Sequence, residues 1–250
     1  MTIIIAISNH KGGVGKTTST VNIGAALALK DFRVLLVDLD PQANLTQNFK
    51  IKNIEISIYD NLKGGETVVP KEVKKNLFVI PSSLDLSAAE IELSSEPGRE
   101  YVLKDILNNL NVKFDYILID CPPSLGLLTI NALTAANKVI IPLQAEFFPL
   151  KGLDKLKDVI KKIKNRLNPE LDIGCVFLTK YDPRKVLNRE VAQSVKNFFG
   201  DKLLETTISN NIALAEAQAQ GTDIFLYNRA CKGANDYRVL CEELIEKGAI

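Results

Sequence analysis

The sequence predicts a doubly wound α/β domain, a mostly parallel sheet flanked by helices. Three observations predict it. Short apolar, β-branched runs alternate with helical patterns along the chain. Several of these runs are apolar without interruption, as strands buried on both faces of a parallel sheet are. A glycine-rich stretch, "HKGGVGKTT", joins the first run to the first helical pattern.

In chain order, strands are expected at Ile3 to Ser8 ("IIIAIS"), Arg33 to Asp40 ("RVLLVDLD"), Leu77 to Pro81 ("LFVIP"), Tyr116 to Pro123 ("YILIDCPP"), Lys138 to Leu143 ("KVIIPL") and Ile173 to Thr179 ("IGCVFLT"). Helical patterns fall between and after them, at Lys16 to Leu29, Arg99 to Leu110, Leu127 to Ala136, Leu153 to Leu167, Arg189 to Phe199 and Asp236 to Ile245. Lys50 to Lys75 is more polar, carries "KGGE" at a turn, and reads as a surface excursion. With no internal repeat, low-complexity tract or long Gly/Ser linker, residues 1–250 read as a single domain.

Composition narrows the class. A formal net charge of +1 supplies no global field toward nucleic acid or a membrane, so any basic surface is local. Cys121, Cys175, Cys231 and Cys241 are scattered without a C-x-x-C pair, and His10 is the sole histidine. A zinc site is disfavoured, and reduced, partly buried thiols of a cytosolic protein are expected. The N-terminus lacks a basic n-region, and no run approaches the roughly 18 apolar residues of a membrane span.

The glycine stretch departs from the pattern G-x-x-x-x-G-K-[ST]. Counting back from Gly15, Lys16 and Thr17, the first glycine would be position 10, which is His10; a second lysine, Lys11, follows it. The context is still that of a phosphate loop. Gly12, Gly13 and Gly15 let backbone N–H groups of the loop, Val14 and Thr18 included, close on phosphate oxygens. The helix N-terminus adds partial positive charge there. Lys16 is placed to reach the β- and γ-phosphates and Thr17 to ligate Mg²⁺.

Acidic strand ends complete the pattern. "VLLVDLDPQ" ends in Asp38 and Asp40, and "YILIDCPPS" brings Asp120 to another strand end. Ligands of doubly wound sheets bind outside the carboxyl ends of strands, and an apolar run ending in Asp is a Walker B arrangement for Mg²⁺.

With these residues in view, "KGGVGKTT" resembles the deviant Walker A motif of the ParA/MinD ATPases, in which the early lysine is a signature. The likeness extends through "VLLVDLDPQANLT", "YILIDCPPSLGLLTINAL", "VIIPLQAEFFPLKGL" and "LAEAQAQGTDIFLYN", essentially the whole chain, and is greatest to the Soj/ParA-type chromosome and plasmid partition ATPases. The resemblance implies slow hydrolysis of ATP to ADP and phosphate with Mg²⁺. Lys11 then acts across an ATP-dependent homodimer on the partner's phosphates, as an arginine finger does. Asp40 orients the attacking water; Thr17, Asp38 and Asp120 organise Mg²⁺. The segment Ile208 to Asn211, with Ser209 and Asn210, lies near the base.

The resemblance further implies nonspecific DNA binding by the ATP dimer, a ParB-like centromere-binding partner, and a cytoplasmic, nucleoid-associated location. Lys180, Arg184, Lys185 and Arg189 are the candidate DNA cations. The lysine-rich helix with Lys151, Lys155, Lys157, Lys161, Lys162, Lys164 and Arg166 reads as a solvated face instead. One departure bears on DNA. Relatives carry a segment like "IPRNVRLSEA" where this chain has "ISNNIALAEA", so Asn210 and Ala213 replace two arginines.

Other readings are weighed by residues. A MinD-like membrane cycler would end in a basic amphipathic helix, whereas "LCEELIEKGAI" carries Glu242, Glu243 and Glu246. An iron–sulfur reductase would need a cysteine partner for Cys121. No extension precedes the first strand to read DNA as a helix-turn-helix. A relative positioning another cargo remains the alternative.

Overall fold

The computed structural model describes residues 2–146 and 150–250; the side chains of Leu150 and Lys151 lie outside the described set. In chain order its elements are β1 (Ile3–Ile7), α1 (Lys16–Ala28), β2 (Val34–Asp38), α2 (Asn44–Asn48), α3 (Ile58–Leu62), β3 (Lys71–Lys74), β4 (Leu77–Ile80), α4 (Leu86–Glu92), α5 (Val102–Asn108), β5 (Tyr116–Asp120), α6 (Leu127–Ala135), β6 (Lys138–Gln144), α7 (Leu150–Arg166), β7 (Asp172–Tyr181), α8 (Val186–Phe199), β8 (Leu203–Ser209), α9 (Ile212–Gln220), α10 (Ile224–Asn228) and α11 (Lys232–Glu246).

The strands form one sheet in the order β3-β4-β2-β5-β1-β6-β7-β8. Among the described residues only β3 runs antiparallel to its neighbour. The continuous apolar runs have the expected cause. Ile5, Ile7, Val34 and Leu36 pack on the side of α1 and α11, while Ala6, Leu35 and Val37 pack on the other side with Leu103, Leu128 and Leu156. Successive side chains of a strand point to opposite faces, and both faces here are covered.

Register positions the acids. Ile7 of β1 pairs with Asp120 of β5, and Asp38 of β2 pairs with the same Asp120. Three adjacent strands therefore end at one level, and the loop after β1 opens beside both carboxylates. β2 stops at Asp38, two residues short of expectation, because the Asp40 N–H turns back to Asp38 Oδ1 at 3.3 Å.

The excursion from Lys50 to Lys75 is more ordered than expected: it holds α3 and the edge strand β3. A Ser57–Asp60 capping box starts α3. At the other edge lies β8, also absent from the predicted strands. The Glu243 carboxylate of α11 accepts its Glu205 and Thr206 N–H groups at 2.9 Å each. Although desolvation opposes it, these bonds and the Lys247 ammonium draw the Glu243 carboxyl down to about 2. The acidic C-terminal helix is thus packed down, with Tyr237, Leu240, Cys241 and Leu244 buried against α1 and the sheet. No helix among the described residues is long and apolar enough to cross a membrane.

Candidate functional site

The glycine loop occupies residues 8–15 between β1 and α1. Asn9 anchors its start: its side-chain amide donates to the Pro142 carbonyl at 2.8 Å, and its Oδ1 accepts the Lys11 N–H at 3.0 Å. Gly13 and Gly15 have φ of 74° and 87°, left-handed values that a Cβ disfavours. Gly15 caps α1, whose first residue is Lys16. The helix is buried nearly all round, so its N-terminus is held rigidly at the loop.

Lys16 is 7% exposed, and its ammonium reaches across the loop to the Lys11 carbonyl at 3.4 Å. Burial lowers its pKa; the carboxylates of Asp120 and Asp40 act the other way. Asp120 is fully buried. Its Oδ1 accepts from the Thr20 hydroxyl at 3.4 Å, and its Oδ2 has no hydrogen-bond partner. Burial, with Asp38 beside it, pushes its carboxyl up to about 8; the Thr17 hydroxyl and Lys16 oppose the rise. Asp38 is also fully buried, and desolvation raises it to about 6 despite bonds from Thr46 N (2.8 Å) and Thr46 Oγ1 (2.6 Å). Asp40 caps a turn through Gln42 N at 2.9 Å.

A divalent cation carried in on phosphates fits this set. An orphaned Asp120 oxygen beside the Thr17 hydroxyl offers hard oxygen donors, while no group of three or more His, Cys, Asp or Glu among the described residues could hold a metal ion. That is the usual Mg²⁺ design, with few protein ligands and the rest supplied by phosphate and water.

The remaining predicted residues divide. Ser209 and Asn210 line a cavity of about 160 Å³ together with Gly15 of the loop and Thr18 of α1. Asp236 fixes Ser209 by accepting from both its N–H and its hydroxyl. Lys11 pairs with Glu146 at 3.7 Å. His10 abuts Gly152 of α7, and burial together with Lys155, Lys16 and Lys11 lowers its pKa. Arg184, Lys185 and Arg189 do gather at the β7–α8 corner. There Arg184 grips Asp182 with two bonds of 2.9 Å, and Arg189 donates to the Pro183 carbonyl at 2.8 Å. Lys180 does not join them: its ammonium donates to the Gly13 carbonyl at 3.1 Å. Lys155, Lys157, Lys161, Lys162 and Lys164 of α7 form a solvated face over buried Leu153, Leu156, Ile160 and Ile163, as expected; the side chain of Lys151 lies outside the described residues.

Thr46, Thr20, Ser82 and Thr179 were not foreseen. Thr46 holds Asp38 and also accepts the Ser82 N–H at 2.9 Å, while Thr179 donates to the Val14 carbonyl at 2.9 Å. Only Thr46 carried a signal, as the last residue of "VLLVDLDPQANLT".

A glycine loop with two lysines, set against paired strand-end aspartates, defines a P-loop nucleoside triphosphatase of the deviant Walker A kind. Comparison with known proteins agrees. A family model described as an AAA domain matches residues 2–173. The chromosome-partitioning ATPase Soj of Treponema pallidum is 46% identical over 242 residues, covering 96% of this chain and 95% of that protein. The chromosome partitioning protein ParA of Caulobacter vibrioides is 44% identical, covering 98% and 94%. Among solved structures, a cobyrinic acid a,c-diamide synthase of Mycobacterium smegmatis, with bound ATP analogue and magnesium, superposes with a TM-score of 0.88 at 35% identity, covering 98% and 95%. The chain belongs to the Soj/ParA family of chromosome-partitioning ATPases.

Proposed function

We propose that this chain is a single ATPase domain working as an ATP-driven dimerisation switch for DNA partition. The reaction is ATP + H₂O → ADP + phosphate. One observation carries the reading: Lys16, Thr17, Asp38, Asp40 and Asp120 converge on one loop that also bears the second lysine, Lys11.

Each residue has a physical task. Loop N–H groups and Lys16 hold the phosphates. Thr17 and Asp120 would hold Mg²⁺, with Asp38 supporting them from beside Asp120 through its own bonds to Thr46. Bound there, Mg²⁺ would neutralise charge on the β- and γ-phosphate oxygens. Asp40 orients the attacking water. Lys11 serves the partner subunit's nucleotide, which requires it to leave Glu146. Ser209 and Asn210 border the nucleoside.

The dimer binds DNA without sequence preference through Arg184, Lys185 and Arg189, and a ParB-like centromere-binding protein triggers hydrolysis. It acts in the cytoplasm on the nucleoid. The test is DNA retention with ADP, with ATP, and with ATP in Asp40→Ala, across a salt series, alongside sizing of each state. Retention by the ATP-locked dimer alone supports partition. A dimer that binds no DNA in any state sinks the DNA half and leaves the switch. Lys11→Ala is expected to bind ATP yet stay monomeric; a dimer with full turnover rules out the trans role.

A second reading, a cargo other than DNA, has its own support. Asn210 and Ala213 stand where relatives carry arginines, and Asp182 neutralises much of Arg184.

A further inference from the structure

We propose that Lys180 is a positioning residue for the phosphate loop, holding the Gly13 peptide in its nucleotide-ready orientation and adding a positive charge at the rim of the nucleoside cavity. This rests on the nucleotide site proposed above.

A phosphate loop works by turning consecutive N–H groups inward, which turns the matching carbonyls outward. Glycine peptides flip easily, so an outward carbonyl with a donor waiting for it is a fixed one. β7 supplies two such donors. The buried Thr179 hydroxyl donates to the Val14 carbonyl at 2.9 Å, and the Lys180 ammonium to the Gly13 carbonyl at 3.1 Å.

Adjacent residues of a regular strand point to opposite faces. Here both point at the loop. Lys180 has φ of 50°, a left-handed value for a residue with a Cβ, and the pairing of β7 with β8 shifts register between Leu178 and Tyr181. Such irregularities beside a site re-aim side chains. The re-aimed lysine also lines the 160 Å³ cavity shared by Gly15 and Ser209. Its charge therefore sits near incoming phosphates, apart from the Arg184 cluster.

The experiment is calorimetric titration of Mg–ATP and Mg–ADP into wild type, Lys180→Met, Lys180→Arg and Thr179→Val, with melting temperatures as the check on folding. Lys180→Met keeps length and removes charge. Both nucleotides are expected to bind it about tenfold more weakly, equivalent to about 1.4 kcal/mol. The loss falls on KM more than on kcat, and Lys180→Arg recovers affinity to within about threefold. Thr179→Val, losing the companion donor, shifts affinity in the same direction. Affinity of Lys180→Met within twofold of wild type overturns the proposal. If DNA retention with a non-hydrolysable ATP analogue drops at the same time, Lys180 returns to the DNA surface. Failure of wild type itself to bind ATP would instead sink the nucleotide site.

Discussion

Lys16 and Arg184 are both cations at the C-terminal edge of the sheet, and their surroundings differ in nearly every respect. Lys16 is buried, fixed by a rigid helix start, and faces Asp120, whose Oδ2 has no partner. Arg184 has 89% of its side chain exposed, and both prongs of its guanidinium are already spent on Asp182, drawn down to about 2 by those bonds. A buried charge lacking a full set of partners costs free energy unless something completes it, so the first region is incomplete without a ligand. The second is electrostatically settled by itself. Chemistry is legible where burial leaves groups unsatisfied, and an exposed cation advertises much less.

The largest effect that would break this comparison concerns Lys16. Lys16→Ala is expected to weaken ATP by about a hundredfold or more, since a desolvated cation on phosphate is lost outright; calorimetry showing normal affinity would remove the loop from the mechanism. Next is Asp40→Ala, which should bind Mg–ATP while turnover drops about a hundredfold or more, read by steady-state phosphate release; unchanged turnover moves the water-orienting role elsewhere.

Asp120 sharpens the comparison through pH. Its carboxyl titrates at about 8 when folded against about 3.9 in an unfolded chain. Between those values the nucleotide-free folded state holds the extra proton, so its stability declines as pH rises, and Asp38, raised to about 6, adds in the same sense. Without nucleotide the protein is expected to melt several degrees higher at pH 6 than at pH 8. Asp120→Asn should flatten that difference, gain about 1–3 kcal/mol at pH 8, and weaken Mg–ATP. A wild-type melting point that rises with pH would contradict the assignment. The smallest effect belongs to the exposed region. Arg184→Ala with Arg189→Ala should weaken DNA retention by the ATP dimer and reduce its salt slope by about two. An unaltered slope would place the contact elsewhere or favour a different cargo.

Much of this was readable in advance, for identifiable reasons. Six strands and the main helices carried long apolar patterns, and the loop motif lay between the right two elements. β3 and β8 escaped because edge strands are half-polar: "KEVK" and "LLETTIS" carry no continuous apolar run. The five-residue helices α2, α3 and α10 are too short to display a 3.6-residue period. The starts of α8 and α11 were placed three and four residues late: Val186 and Leu187 open α8 exposed, and α11 is capped by Cys231, which is not among the usual capping residues. In the site, the residues of the glycine loop and the strand-end acids were named, while the hydroxyls that hold them were not. Thr20, Thr179 and Ser82 are ordinary hydroxyls whose value comes from register and a distant partner. Lys180 was grouped with Arg184, Lys185 and Arg189, whereas its ammonium, on a residue with a positive φ, donates to the Gly13 carbonyl.

The Glu243 carboxylate that occupies the amides of β8 has a further consequence. At the opposite rim, β3 closes the sheet with the lysines of "KEVK". With two amides of one border occupied by a carboxylate and the other border lined with charge, strand-to-strand annexation between copies is disfavoured at both rims. An open-ended ribbon of copies joined edge to edge is therefore disfavoured, whichever other face a second copy would use.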